Sequence, residues 1–315
     1  MAARLRLLAA SLLLLLAAAG AAHAQAPAVR IVVPAPPGGA LDASARLFAL
    51  RMAALTGEPH VVENRPGANT AIGTEFVMRS APDGRVMLFT GASIVTNAWM
   101  NKGGVSALEG LQPVVQLSNE RYWLVSAPGS GASSVRDLEQ APAGRPGGWN
   151  CAAVPGATTM ACEQLRARSG GAVVTVPYAG LAQALNALQG GHVDIMFSNI
   201  DAVARVVQAG RLRVLAASAR GEGAADAVPL FAQAWPDFLM EGAYGVFVPI
   251  HTPAARVQQL NREFNQVLAE PEVGERMREA GQEVVGGDAA SYLARLRLLE
   301  KRSGELARRL GLARP

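Results

Sequence analysis

Apolar and polar positions in this chain follow two periods that take turns along its length. Ile31, Val32 and Val33 form a short β-branched run suited to a buried, pleated strand. Behind it, Leu41, Ala45, Phe48, Met52 and Leu55 recur at helical spacing, which predicts a helix from near Ala40 to a stop at Gly57. The alternation then repeats. Strand 60–63 precedes helix 71–79, strand 149–154 a helix to about 168, strand 173–176 a helix to 188, and strand 193–197 helix 201–208. Further strands are predicted at 85–89, 114–117, 123–126, 212–217 and 245–248. Thr252-Pro253 predicts a helix start with Thr as N-cap and Pro at the first turn. That helix reaches about 268, another covers 271–280, and Asp288 caps a long final helix. Strands alternating with helices predict an α/β architecture with largely parallel sheets.

The breaks between these elements share a chemistry. Pro34-Ala35-Pro36-Pro37-Gly38-Gly39 stiffens a strand exit and then lets the backbone turn tightly. A strand passing through such a turn into a helix leaves unpaired N–H groups, which suit a carboxylate or phosphate as well as they suit a plain packing turn. Small, polar or glycine residues also follow Phe89 (Thr90-Gly91-Ala92-Ser93), Val154 (Pro155-Gly156-Ala157-Thr158-Thr159), Val176 (Pro177-Tyr178-Ala179-Gly180) and Phe197 (Ser198-Asn199). Other turns are structural: Pro82-Asp83-Gly84, the Pro- and Gly-rich loop 141–148 and loop 221–229. Ser134-Val135-Arg136-Asp137 resembles a capping box with Asp in place of Glu.

The N-terminus adds a compartment. Arg4 and Arg6, an apolar Leu- and Ala-rich run over 7–19 and Ala22-His23-Ala24 make a signal peptide over 1–24, cleaved after Ala24. The run is shorter than the ~20 residues a membrane span needs. The product is expected to be an exported protein. The formal charge of +4 loses two arginines with the leader, and no basic cluster is long enough to suggest nucleic acid. In an oxidising compartment the two cysteines, Cys151 and Cys162, are expected to pair, provided the fold brings them together. His60, His192 and His251 are scattered without ligand spacing, so no metal site is expected.

The sequence offers little for catalysis. It has no G-x-S-x-G elbow and no Walker A motif. Gly221-Glu222-Gly223 follows a strand, but Asp226 stands where the third glycine of a dinucleotide fingerprint belongs, so no cofactor is expected. Asp42, Glu63 and Asp83 could form an acid/base pair in principle, yet Asp42 sits at a helix cap and Asp83 in a turn. Ligands of open α/β sheets bind beyond the carboxyl ends of strands, where the five small polar loops fall. Such loops hold a small anion without attacking it.

At these loops the chain resembles the tripartite tricarboxylate transporter substrate-binding proteins, the TctC-like Bug receptors, over nearly its whole mature length. The segment 31–42 is similar to the family's Pro-Phe-Pro-Pro-Gly-Gly-x-x-Asp loop, and Val62-Glu63-Asn64-Arg65-Pro66-Gly67-Ala68 to its Val-Glu-Asn-Arg-Pro-Gly-Ala signature. Ala81-Pro82-Asp83-Gly84, Val176-Pro177-Tyr178-Ala179-Gly180 and Gly245-Val246-Phe247-Val248-Pro249 with Thr252-Pro253 match in order. The resemblance implies a two-lobed, type II periplasmic-binding-protein-like fold, each lobe a mostly parallel sheet flanked by helices. Lobe I would be 25–123 plus 226–315, lobe II 124–225, with the ligand cleft between them. It also implies a carboxylate gripped by the backbone of Ala35, Gly38, Gly39 and Ala40 near Asp42. Thr90 and Ser93 would line the same lobe, and Thr158, Thr159, Tyr178, Ser198 and Asn199 the other. Four departures stand out: Ala35 replaces an aromatic, Asn69-Thr70 a common Gly-Gly, Ser198 an Asp, and Asp201 a Pro. A His common after the third loop is absent near Ala161 and Cys162.

The expected function is therefore a monomeric receptor that captures a small organic carboxylate and hands it to membrane permease subunits. A ligand-sensing subunit of a signalling system would use the same fold and surface, and a secreted α/β enzyme is the remote alternative.

Overall fold

The computed structural model describes residues 28–100, 106–140, 147–154, 156–220 and 227–312. The leader 1–24, most of loop 141–148 and the Gly221-Glu222-Gly223 segment lie outside the described residues.

In chain order the first lobe opens with β1 (Val29–Val33), α1 (Ala40–Thr56), β2 (His60–Asn64), α2 (Ala71–Met78), β3 (Val86–Gly91), α3 (Ser93–Met100) and β4 (Leu111–Glu120). The second lobe contains β5 (Tyr122–Ser126), β6 (Trp149–Ala153), α4 (Ala157–Arg168), β7 (Val173–Pro177), α5 (Leu181–Gln189), β8 (Ile195–Asn199), α6 (Ile200–Gln208), β9 (Arg213–Ala217) and the short α7 (Phe231–Ala234). The chain then returns through β10 (Gly242–Pro249), α8 (Ala254–Leu268), α9 (Pro271–Glu279), β11 (Gln282–Val284) and α10 (Ala289–Arg309).

These strands build two sheets, one ordered β11-β4-β10-β3-β1-β2 and the other β7-β6-β8-β5-β9. The consecutive βαβ units are parallel, as the alternation requires: β1 with β2 and β3, and β6 with β7 and β8. The strands next to the crossings run the other way. β10 is antiparallel to β3 and β4, and β5 is antiparallel to β8 and β9. Both sheets are thus mixed, because the crossing strands enter each lobe from the end where its parallel strands finish.

Helices cover both faces of each sheet, which explains why the strand runs are apolar without alternation. Along β1, Ile31 and Val33 pack with Phe48, Phe89 and Phe264 on one face, while Val32 packs with Leu88, Phe247 and Tyr292 on the other. In the second sheet Ile195 and Phe197 face one core and Met196 the other. Cys151 on β6 and Cys162 on α4 are joined by a disulfide across a Cα separation of 6.0 Å, and both are fully buried.

Two local expectations change. The segment after 226, read as part of lobe I, begins on the second sheet. Phe231 and Phe238 pack against Phe197 there, both ring centroids 5.6 Å from it, and Trp235 packs against Phe238 at 5.0 Å. Tyr122 and Trp123 likewise belong to β5 in the second sheet. Helix α8 starts at Ala254 with Pro253 as the residue before it, and the buried Thr252 hydroxyl makes no hydrogen bond to its helix. The returning half of the expected capping box does form: Asp137 Oδ2 accepts from Ser134 N, and also from Ser133 N and Ser133 Oγ, each at 2.8 Å.

Candidate functional site

The first lobe passes into the second with Arg121 alone between the last residue of β4 and the first of β5. The return runs through residues 239–241 into β10. Buried Gln164 fastens it, with Nε2 donating to Leu239 O at 2.8 Å and Oε1 accepting from Leu239 N at 2.9 Å. A cleft of about 200 Å³ opens beside these crossings. Its lining comes from the ends of β1 and β3, the start of α4, Asn199 at the end of β8, and the hinge residues Glu120, Tyr122, Glu241, Gly242 and Tyr244. The lobes meet over it: Met160 of α4 packs with Ile94, Val95 and Ala243 of the first lobe. A Cβ placed on Gly156 would lie 3.4 Å from Ser93 Cβ, ordinary contact distance.

Several features favour an anion. Helix α4 begins in the cleft behind Gly156, whose φ of 113° suits glycine and which offers no side-chain cap. The first N–H groups of a helix have no partner within it, and the helix dipole makes that end electropositive. Helix α3 likewise starts at the cleft-lining Ser93. Thr90, 1% exposed, lines the same cleft, and its hydroxyl has no hydrogen-bond partner among the described residues. A buried hydroxyl left unpaired is costly, so Thr90 is set up for a partner that the described residues do not supply.

Of the residues singled out from sequence, Ala35, Thr90, Ser93, Thr158 and Asn199 line this cleft. The Gly38-Gly39-Ala40 turn is placed differently. Asp42 Oδ2 accepts the Gly38 N–H at 2.9 Å and Arg46 Nε at 3.0 Å, and its Oδ1 accepts Asn64 Nδ2 at 2.9 Å. Asn64 also donates to Ala35 O at 3.1 Å. Asp42 therefore ties the Pro-Pro-Gly-Gly loop to the Glu-Asn-Arg segment and takes up the Gly38 N–H, while Gly38 and Gly39 are themselves exposed and outside the cleft lining. Burial by itself would raise the Asp42 pKa, but the bonds from Arg46, Gly38 and Asn64 outweigh it and hold the carboxyl below its ordinary value.

On the second lobe the hydroxyls are also committed. Thr158 Oγ1 donates to Val154 O at 2.7 Å and accepts Val154 N at 3.1 Å, and Thr159 Oγ1 donates to Val154 O at 2.8 Å. They rivet the strand-to-helix turn. Ser198 is buried with Oγ on Asn199 O at 3.2 Å, and Tyr178 is half-buried against the core around Ala184 and Met196 and is not part of the cleft lining.

Sequence reasoning missed the hinge residues and Thr70. Their one signal was a polar gap, Ser118 to Arg121, between two apolar strands. Thr70 closes a run of three left-handed residues, with φ of 46° at Ala68, 52° at Asn69 and 74° at Thr70. The Asn69-Thr70 departure thus occupies positions where glycine costs less, and the strain sits on the cleft wall.

Residues 44–312 match the model of the tripartite tricarboxylate transporter family receptor. The chain belongs to that family. It is 31% identical to the protein BugT of Bordetella pertussis over 260 residues, covering 80% of each chain. Among solved structures it is similar to a periplasmic transporter, with 26% identity, a TM-score of 0.79 and coverage of 91% of this chain and 98% of the other. It is also similar to an R. palustris protein solved with adipate, with 25% identity, a TM-score of 0.81 and the same coverage of each. Family and fold are those of two-lobed solute-binding receptors rather than of enzymes.

Proposed function

We propose that this protein is a periplasmic receptor that closes on a small organic carboxylate and delivers it to the membrane permease subunits of a tripartite transporter. The observation that carries this reading is the buried Thr90 hydroxyl, without a partner among the described residues, in a cleft shared by both lobes and by the uncapped start of α4. In this proposal Thr90, Ser93 and the first backbone N–H groups of α4 hold the carboxylate, and Ala35 and Asn199 shape the space around it. The Pro-Pro-Gly-Gly loop, fastened by Asp42, sets the position of the rim. A cleft of about 200 Å³ suits a ligand smaller than those of the ~300–1,000 Å³ sites that take drug-sized molecules. Family membership and the adipate-bound R. palustris neighbour support a carboxylate as the ligand class.

Contacts to both lobes would stabilise the closed form over the open one, the population shift a permease could read. Export follows from the leader 1–24, with cleavage after Ala24. The test is a thermal melt against mono-, di- and aromatic carboxylates, since a ligand of the folded state alone raises the melting temperature. Absence of a shift across the whole panel would overturn the reading. Co-purification with permease subunits from ligand-loaded membranes would test delivery.

A further inference from the structure

Thr90 shares its lack of a partner with a second hydroxyl. Tyr292, near the start of α10, is 2% exposed, and its Oη also makes no hydrogen bond among the described residues. The tyrosine is not part of the cleft lining.

Strand register sets the two side by side. Side chains alternate between the faces of a strand, so Thr90 leaves β3 on the same face as Leu88. Leu88 packs there with Val32, Phe247 and Tyr292. Across on β10, Phe247 stands opposite Leu88 and Gly245 opposite Thr90. The tyrosine ring, packed on Phe247 with centroids 5.6 Å apart, fills the space a side chain at Gly245 would take. A Cβ there would collide with Cε1, Cζ and Oη of Tyr292. Opposed Cβ positions in an antiparallel pair are only about 4.5–5.5 Å apart, so the phenol end of Tyr292 lies beside the Thr90 side chain.

The chemistry of the pair is complementary. Burial raises the Tyr292 pKa, so the hydroxyl keeps its proton and can donate. A threonine hydroxyl donates one hydrogen bond and accepts others. A ligand oxygen that takes the Thr90 proton leaves the threonine lone pairs for the tyrosine O–H, and hydrogen bonds in such a chain strengthen one another.

We propose that Tyr292 is a positioning residue for the ligand: when the cleft fills, its hydroxyl donates to Thr90 Oγ1, which in turn donates to the ligand carboxylate. Tyr292 acts through Thr90 and does not touch the ligand. The proposal rests on the carboxylate-receptor reading and adds to it a residue that α10 supplies from behind the cleft wall. Filling the cleft then pairs two buried hydroxyls at once.

The test uses the full exported protein, titration calorimetry with succinate, adipate and benzoate, and urea unfolding without ligand. With the tightest-binding probe, Y292F should lose threefold or more in affinity while its unfolding midpoint stays at or above that of wild type. In the T90V background the same substitution should change affinity by less than about twofold, because the chain is already cut. Wild-type affinity in Y292F, or an equal loss in both backgrounds, would overturn the proposal and leave the receptor reading standing. A crystal structure of the wild-type protein with that probe bound reads the same point should Y292F fold poorly. Tyr292 Oη within hydrogen-bond distance of Thr90 Oγ1 is expected there, and two hydroxyls still apart would overturn the proposal. Failure of all three probes to bind would count against the receptor reading itself and remove the basis of the proposal with it.

Discussion

Glu120 Oε1 accepts a hydrogen bond from Asn199 Nδ2 at 2.6 Å, and the two residues end strands of different sheets. With Arg121 alone linking β4 to β5, this bond fastens the lobes beside their crossing. Asn199→Ala removes a donor from an ionised acceptor, so it should cost about 1–3 kcal/mol of folding stability. Urea denaturation of the ligand-free protein checks the value, and an unchanged midpoint would show that the bond contributes nothing to holding the lobes.

Thr90→Val separates binding from folding. The hydroxyl has no partner to lose among the described residues, so the ligand-free variant should be as stable as wild type or slightly more so. Ligand affinity should fall by about tenfold, the worth of roughly one hydrogen bond. Calorimetry paired with denaturant unfolding reads both, and equal losses in both would assign Thr90 a structural role.

Asp42 gives a pH signature. Its folded-state pKa is depressed because hydrogen bonds from Arg46, Gly38 and Asn64 outweigh the opposing effect of burial. The stability it contributes is therefore fully present above the unfolded pKa of about 3.9 and is lost as pH falls through the lower folded value. Asp42→Asn should be less stable than wild type at pH 7 by about 1–2 kcal/mol. The gap should close below about pH 4 as the wild-type carboxyl protonates. Unfolding midpoints of both proteins from pH 7 to pH 3 test this.

Thr70 carries strain. A β-branched residue at φ 74° pays about 1–2 kcal/mol for a left-handed conformation that glycine adopts freely. Thr70→Gly should therefore stabilise the protein by up to about 1 kcal/mol, the remainder being offset by glycine's greater freedom in the unfolded chain. A rise in the denaturation midpoint is expected, with ligand affinity altered because the residue lines the cleft.

The disulfide spans a sequence separation of 11 residues and clips α4 to β6. Closing a loop of that size is worth about 3 kcal/mol through the unfolded chain. Cys151→Ser with Cys162→Ser should lose that order of stability in urea unfolding. Both sulfurs are fully buried, so mild reductant should act on the native protein slowly and on the urea-unfolded protein fast.

Much of the fold was legible because its signals are local. The apolar runs at Ile31–Val33 and Phe89 and the helical spacing from Leu41 to Leu55 act within a few residues, and the strands and helices formed there. Asp288 caps its helix through Ser291 N at 2.8 Å, again a short-range device. Less legible was how each side chain in a recognised loop is spent. Thr158 and Thr159 bond back to Val154, and Asp42 takes the Gly38 N–H, choices that depend on the angle at which helix leaves strand.

The amino-acid sequence by itself determined the order of strands and helices, the small polar turns between them and the family to which the chain belongs. Each of these is written in local periodicity or contiguous motif. Tertiary structure alone decided that Phe231, Trp235 and Phe238 join the second lobe, that the crossing strands run antiparallel, and that Glu120 stands in the cleft. Those outcomes depend on contacts between residues far apart in the chain, such as Glu120 with Asn199, and no local pattern encodes which distant partners meet.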